Sequence, residues 1–560
     1  MKLIKNIYLS LGFWTIGGLC LTSCEDILTE KPDSYYSKED FFINAANAEM
    51  AVTGIYSILT DIYDQIDGQN SAASDDILYP AGGYVTDNAR RDMGNYTLTN
   101  SNKSLKTLWN NKYEQLNRAN YCIQNIEAME GYAQNKNLQR LVGEAKFLRA
   151  LAASDLARYW GDVPFKAYYT DSYESAYMPR IDRQEIYDQA IQDLNDAKKV
   201  LPWADASTSP EKITQGAARA LLMRVLLTRA GYSLQMDGGL TRPDDSKRKE
   251  YFEAVIDEWE AFEKNGYHGF YEGGYEALFR SFSEGTLNSR ESLFEIAFYY
   301  PTNKGTWGVY MGPSVAAPNV PMSEASKYMG RAGASFRAVP EWRKFYETAD
   351  QRRDVSICTY AYTWDNATMS HIKTEDTKGR NWYPGKWRRE WTPSGSNKNL
   401  NASDINYCLL RYGDVVLMAA EAYNETGNTA QAWKLLNRIR ERAGATQAVT
   451  LAKYREAQPN LYNLPFFNSG DEKDNFRTAL YWERGLELAF EGQRKYDLIR
   501  WGVMAQALKL FGRDTAANSG NKPAYIAPTY FQSGKHELFP IPLDEIQINH
   551  KLEGKNNPGY

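Results

Sequence analysis

Along most of the chain, apolar residues return every three to four positions, the period of an amphipathic helix rather than of a strand. That spacing predicts helices in AEMAVTGIYSILTDIYDQI, SLKTLWNNKYEQLNRANYCIQNIEAM, LQRLVGEAKFLRALAASDLARYW, RQEIYDQAIQDLNDAKKVL, QGAARALLMRVLLTRAGY and KRKEYFEAVIDEWEAFEKN. Ser37 and Asp40 form an S-x-x-D capping box ahead of Phe41. In the third helix Leu141, Ala145, Leu148, Ala152, Asp155 and Tyr159 hold the helical spacing, Gly161 supplies a C-terminal cap, and Pro164 forbids continuation.

A helical hairpin is expected in RYGDVVLMAAEAYNETGNTAQAWKLLNRIRERAG. There Ala420, Tyr423, Gly427, Ala430, Leu435 and Ala443 show the small and large alternation of a tetratricopeptide repeat around a Gly-Asn turn. Other helix pairs do not repeat this sequence, so the packing is expected to be repeat-like without a regular array. Residues 267–404 break the pattern: glycine, proline, polar residues and aromatic rings dominate, with one strand expected at SLFEIAFYY. So long an irregular stretch is functional or disordered, and its many rings argue for function.

The organisation expected is a signal segment over 1–23, a linker over 24–36 and a helical scaffold over 37–266. The loop-rich insertion over 267–404 and a C-terminal helical region over 405–560 complete it. Composition narrows the partners. The 560 residues are 43% hydrophobic and carry a formal charge of -5, a profile of packed globular protein with no general attraction for nucleic acid.

The membrane-like segment lies at the start, where Lys2 and Lys5 precede about fifteen apolar residues, the length of a signal-peptide core. Leu21, Thr22, Ser23 and Cys24 then follow the pattern of a lipobox, which makes Cys24 the expected lipidation site and Glu25 and Asp26 a candidate surface-export signal. Cys122, Cys358 and Cys408 are too widely spaced for a disulfide framework or a paired metal site, and are expected as buried free thiols.

One constellation resembles catalytic machinery. Glu483, Glu487 and Glu491 recur every four residues, with Arg494 and Asp497 continuing near the same helical stripe. A glycosidase needs two carboxylates, one with a raised pKa, whereas carboxylates interleaved with Arg484, Arg494 and Arg500 stay ionised. The ladder is therefore read as structural, with Trp482, Leu486, Ala489, Tyr496 and Ile499 buried on the opposite stripe. No G-x-S-x-G, H-E-x-x-H or G-x-x-x-x-G-K-[ST] occurs. His268, His371, His536 and His550 have no i, i+4 pair and are expected at the surface or as caps. No metal, cofactor or catalytic residue is assigned.

GEAKFLRALAASDLARYWGDVP, LLRYGDVVLMAAEAYNETG with KLLNRIRERAG, ERGLELAFEGQRKYDLIRWG and the terminal LFPIPLDEIQINHKLEGKNNPGY occur in that order. Together they resemble the SusD/RagB family of outer-membrane nutrient-binding lipoproteins. Gly413, where the family more often has alanine or a larger apolar residue, and Asn556, where glutamine is common, are minor departures. The resemblance implies a mainly α, SusD-like fold in which four tetratricopeptide-like helix pairs support a loop-rich aromatic face with few short strands. It also implies a lipid-anchored protein on the exterior of a Gram-negative outer membrane, and a SusC-like TonB-dependent transporter as partner.

Sugars offer flat C–H faces ringed by hydroxyls, so their sites combine aromatic plates with forked polar groups. SDDILYPAGGYVTDNARRDMGNY and FYYPTNKGTWGVYMG supply both, which selects Asp75, Tyr79, Tyr84, Arg90, Asn95, Tyr300, Asn303, Trp307 and Tyr310 as candidate ligand residues. Trp382, Tyr383 and Trp387 in NWYPGKWRREW form a reserve cluster. Each ring has core packing or loop anchoring as its alternative, since tyrosine and tryptophan are mostly buried. The expected function is non-catalytic glycan capture for import. Peptide capture, a surface glycoside hydrolase and a ligand-free scaffold are the alternatives.

Overall fold

The computed structural model describes residues 41–64, 74–79, 89–299, 302–393, 401–458, 470–511 and 525–560. Its long helices are α1 (Ala45–Ile62), α2 (Lys103–Glu127), α3 (Lys136–Trp160), α4 (Arg183–Val200), α5 (Gln215–Ala230), α6 (Asp245–Asn265) and α7 (Gly274–Glu284). After the insertion come α8 (Tyr412–Glu425), α9 (Thr429–Arg442), α10 (Glu472–Glu487), α11 (Arg494–Arg500) and the short α12 (Leu543–Ile548). The capping box at Ser37, the lipobox cysteine Cys24 and the acids Glu25 and Asp26 lie outside the described residues.

Helix α3 shows how local sequence sets an element. The Asn135 side chain accepts from the N–H groups of Asn137 and Leu138, relieving two orphan donors at its start. Its end is closed by Gly161, at φ 74°, whose N–H reaches Ala157 O. Between these caps nearly every side chain from Leu141 to Trp160 is buried, because α1, α2 and α4 all pack on it. The alanines at 145, 150, 152, 153 and 157 are what let three neighbours approach one helix.

Each helix then packs on the next in sequence, α4 on α5 and α5 on α6, until α6 packs directly on α8 and α8 on α9 and α10. The chain between α6 and α8 thus leaves the stack and returns to it. Its neck is a two-stranded antiparallel clasp of β1 (Ser292–Ile296) and β4 (Tyr407–Arg411), every residue of which is buried. The strand expected through Tyr300 ends at Ile296. Inside the loop, β2 (Tyr360–Asp365) and β3 (Ser370–Glu375) form an antiparallel hairpin. One hydrophobic cluster runs from Ala48 to Leu552, so scaffold and insertion share a core.

Two further expectations change. The helix through Glu483 and Asp497 is broken: α10 stops at Glu487, Phe490 takes φ 67° and Gly492 φ 79°, and α11 begins at Arg494. Phe490 is held in that left-handed conformation by its N–H, which donates to Asp76 Oδ2 at 3.1 Å. His268 and His536 are buried rather than superficial, and burial lowers each to about 4, so both are neutral at physiological pH. Cys122, Cys358 and Cys408 are free and buried as expected.

Candidate functional site

The charged residues of α10 and α11 form a buried ion-pair network. Glu483 accepts from Arg352 at 2.9 Å and from Arg440, and Glu487 accepts from Arg411 at 2.7 Å and from Arg442. Glu491 takes Lys386 at 2.5 Å and Arg411 at 2.6 Å, while Arg484 joins Asp414 and Asp497. Burial alone would raise Glu487, but Arg442, Arg411 and Arg352 more than reverse it and hold its carboxyl well below the usual carboxylate range. Glu483 is lowered in the same way by Arg352 and Arg440 against its burial. Carboxylates so held stay ionised and cannot serve as a general acid.

Several candidate ligand residues belong to this interior. Asp75 has no exposed surface; Arg494 Nε lies 2.7 Å from its Oδ1, and Tyr481 donates to its Oδ2 at 2.7 Å. Asn95 is also buried. Trp307 stacks on Tyr407 with ring centroids 4.3 Å apart and planes at 4°, leans on Trp387, and donates its indole N–H to Tyr63 O at 3.0 Å. Trp387 is equally buried, and Tyr383 lies in the interior beneath the Arg337 guanidinium, 4.4 Å from its ring centre. These five are corrected from ligand contacts to packing: the rings and amides that would grip a sugar are the ones that anchor the irregular chain to the scaffold.

Of the remaining candidates, Tyr79, Asn303, Tyr310 and Trp382 are half-buried. Tyr79 sets its edge on Phe336, and the Trp382 N–H is spent on Asp376 O at 2.6 Å. Tyr84 and Tyr300 lie outside the described residues, as does the side chain of Arg90.

The surface of the insertion instead presents rings that the sequence reading passed over. On the β2–β3 hairpin His371 sits directly across from Trp364, with ring centroids 5.0 Å apart, and Tyr328 meets Trp364 at 5.0 Å and His371 at 6.5 Å, so the three rings form one edge-to-face cluster. Val315 bridges to Ala332 and to Tyr362, so the 313–332 segment is laced to the hairpin. His371 Nε2 lies 2.9 Å from Ala316 O, which makes Nε2 the donor, and burial lowers this histidine's pKa.

Amides flank the rings. Asn366 Oδ1 accepts from the Trp364 N–H at 3.1 Å and from Asn319 Nδ2 at 3.0 Å, which leaves Asn366 Nδ2 and Asn319 Oδ1 for a ligand. Tyr299 and Asn303 exchange backbone hydrogen bonds at 2.8 Å, and Tyr299 is 69% exposed. A cluster of edge-to-face rings with amides beside it suits the C–H face and hydroxyls of a sugar. The signal existed in the sequence: Tyr360, Tyr362 and Trp364 alternate with Ala361 and Thr363, followed by the turn residues Asp365 and Asn366.

Comparison with known proteins decides the family. A model described as the SusD family matches residues 290–560, and one described as starch-binding and associating with the outer membrane matches residues 26–227. The chain belongs to the SusD family. Two SusD-like proteins of Formosa agariphila are similar at 26% and 27% identity, covering 96% and 97% of this chain and 97% and 98% of their own. A SusD homolog from Bacteroides thetaiotaomicron aligns with a TM-score of 0.75 at 27% identity, over 93% of this chain and 98% of that one. The surface glycan-binding protein A of the same organism, solved in complex with laminarihexaose, shares the SusD fold with a TM-score of 0.66 at 18% identity over 91% of this chain and 99% of its own. Among the described residues no helix is long and apolar enough to cross a membrane.

Proposed function

We propose that the chain is a non-catalytic glycan-capturing protein of the outer-membrane surface, tethered through lipid on Cys24, that delivers oligo- or polysaccharide to a SusC-like TonB-dependent transporter for import. The observation that carries glycan over peptide is the half-exposed cluster of Trp364, Tyr328 and His371, with Asn366 Nδ2 and Asn319 Oδ1 open beside it. Membership of the SusD family supports it, as does a fold shared with a laminarin-binding SusD-like protein. The locked carboxylates of α10 and α11 favour binding over hydrolysis, since glycoside cleavage needs a proton-donating acid at an accessible position.

Affinity electrophoresis of the chain through gels containing single polysaccharides, with a peptide-binding control, tests the reading. Retardation in at least one gel without release of reducing sugar is expected. Sugar release would make it an enzyme, and peptide binding with no retardation in any gel would replace the ligand class.

A further inference from the structure

A cleft of about 400 Å³ lies between α2, the 164–178 segment and α12, remote in sequence from the insertion and sharing no residue with the Trp364 cluster. We propose that it is a second carbohydrate site, which takes one ring of a neutral sugar. Its volume falls within the range of small-molecule pockets.

The site begins as a stripe on α2. Trp109, Tyr113 and Leu116, with Asn110, Glu114 and Asn117 beside them, recur at three- and four-residue spacing and so face one way. The deeper members make an apolar and aromatic floor, which Pro164, Phe165 and Met178 extend on the facing wall. The outer members are polar and stand at the rim.

The facing wall is fixed before any ligand arrives. Tyr113 donates to Pro164 O at 2.7 Å, Asn120 Nδ2 donates to Lys166 O at 3.1 Å and Tyr168 O at 3.0 Å, and Thr170 N–H donates to Asn117 Oδ1 at 3.0 Å. Arg149, paired to Asp193 at 2.6 Å, holds Asn120 and Ala167 O from behind. Asn549 ties Met178 O and Glu545 Oε1 together, closing the end at α12. A cavity held open by this many bonds avoids the ordering cost that weakens binding to loose loops.

What these bonds leave over is the recognition set. Asn110 keeps its whole amide, Asn117 keeps Nδ2, and Glu114 and Glu545 each keep one carboxylate oxygen after their bonds to Arg118 and Asn549. Donors and acceptors in forks around an aromatic floor match vicinal hydroxyls over a pyranose face. Two carboxylates against the single Lys166 disfavour acidic sugars. The 164–178 segment also carries Tyr168, 59% exposed, and Tyr173, 72% exposed, whose ring meets Tyr177 at 5.0 Å, so a longer chain leaving the cleft has rings to lie on.

Thiol protection in the full chain carrying Ala176→Cys, a lining position outside the recognition set, tests this, with the unaltered chain as background for the native cysteines. Maleimide labelling of Cys at 176 is expected to slow roughly tenfold with about 10 mM of at least one member of a panel of neutral hexose and pentose oligosaccharides, given a dissociation constant near 1 mM. Protection should vanish when Asn117→Ala is added and persist when Trp364→Ala is added, which separates this site from the aromatic cluster of the hairpin. Absence of protection across the neutral panel overturns the proposal, as does protection by polygalacturonate or by a tryptic peptide mixture alone.

Discussion

Arg494 and Asp75 stand 419 residues apart in sequence and meet in the interior, guanidinium Nε to carboxylate Oδ1 at 2.7 Å. The pair fastens the segment entering the first irregular loop to the signature region, and Trp342 covers it, donating its indole N–H to Asp75 O at 2.7 Å. Removing one partner strands a buried charge, which typically costs about 3–5 kcal/mol. Arg494→Ala is therefore expected to lower the urea midpoint strongly while folded protein keeps its glycan affinity. Unchanged stability with lost affinity would return this pair to the ligand.

The two tryptophans of the insertion should behave oppositely. Trp307→Ala removes a ring stacked on Tyr407 and is expected to cost about 3–5 kcal/mol of stability. Trp364→Ala removes a half-exposed ring, so polysaccharide retention should fall while thermal unfolding shifts little. Retention that survives Trp364→Ala would remove the hairpin from the site.

Glu295 makes stability respond to pH. Burial pushes this carboxyl up to about 7, and nearby Glu211 adds to the rise, against hydrogen bonds from Ser292 and Asn406. The folded chain holds the neutral acid where the unfolded chain, with the ordinary value of 4.5, has ionised it. Its contribution is full below about pH 4.5 and is lost as pH rises through about 7, a change on the order of 3 kcal/mol. Urea melts at pH 5 and pH 8 should show the Glu295→Gln variant gaining on the parent at pH 8; a pH-independent difference would refute the assignment.

Gly413 is more constrained than its family comparison implies. A Cβ there would press on Arg411 Nη1 and come 3.0 Å from Glu487 Oε1. Arg411 cannot swing aside, because Glu487 and Glu491 hold it through four hydrogen bonds including the Glu487 carbonyl. Gly413→Ala is expected to destabilise by about 1–3 kcal/mol in chemical denaturation, in the range of other overpacking changes. A neutral or stabilising result would show that the network has slack.

The helices were legible because caps and period sit close together in sequence: α3 ends at Gly161, and the α8–α9 turn passes through Gly427 at φ 94° with Asn428 capping the second helix. The break at Phe490 was not legible, since it is imposed by Asp76 from far along the chain. The aromatic site was misjudged for a related reason. Composition reveals that a loop is rich in rings, but burial of Trp307 depends on Tyr407 and Tyr63, which no local window contains. Trp364 was readable from its strand alternation and was overlooked beside denser aromatic runs.

The β1–β4 clasp has an evolutionary corollary. It pinches off about 110 residues between Ile296 and Tyr407 at a neck two strands wide, while α6 and α8 hold each other without them. The entropy of closing such a loop grows only logarithmically, about 0.6 kcal/mol for each doubling. Only the outer part of the excursion can change that cheaply, because Arg352 and Lys386 within it neutralise Glu483 and Glu491 of the scaffold; descendants of one gene can therefore lengthen, shorten or redecorate the β2–β3 hairpin while the inner anchors and the helical frame are inherited together.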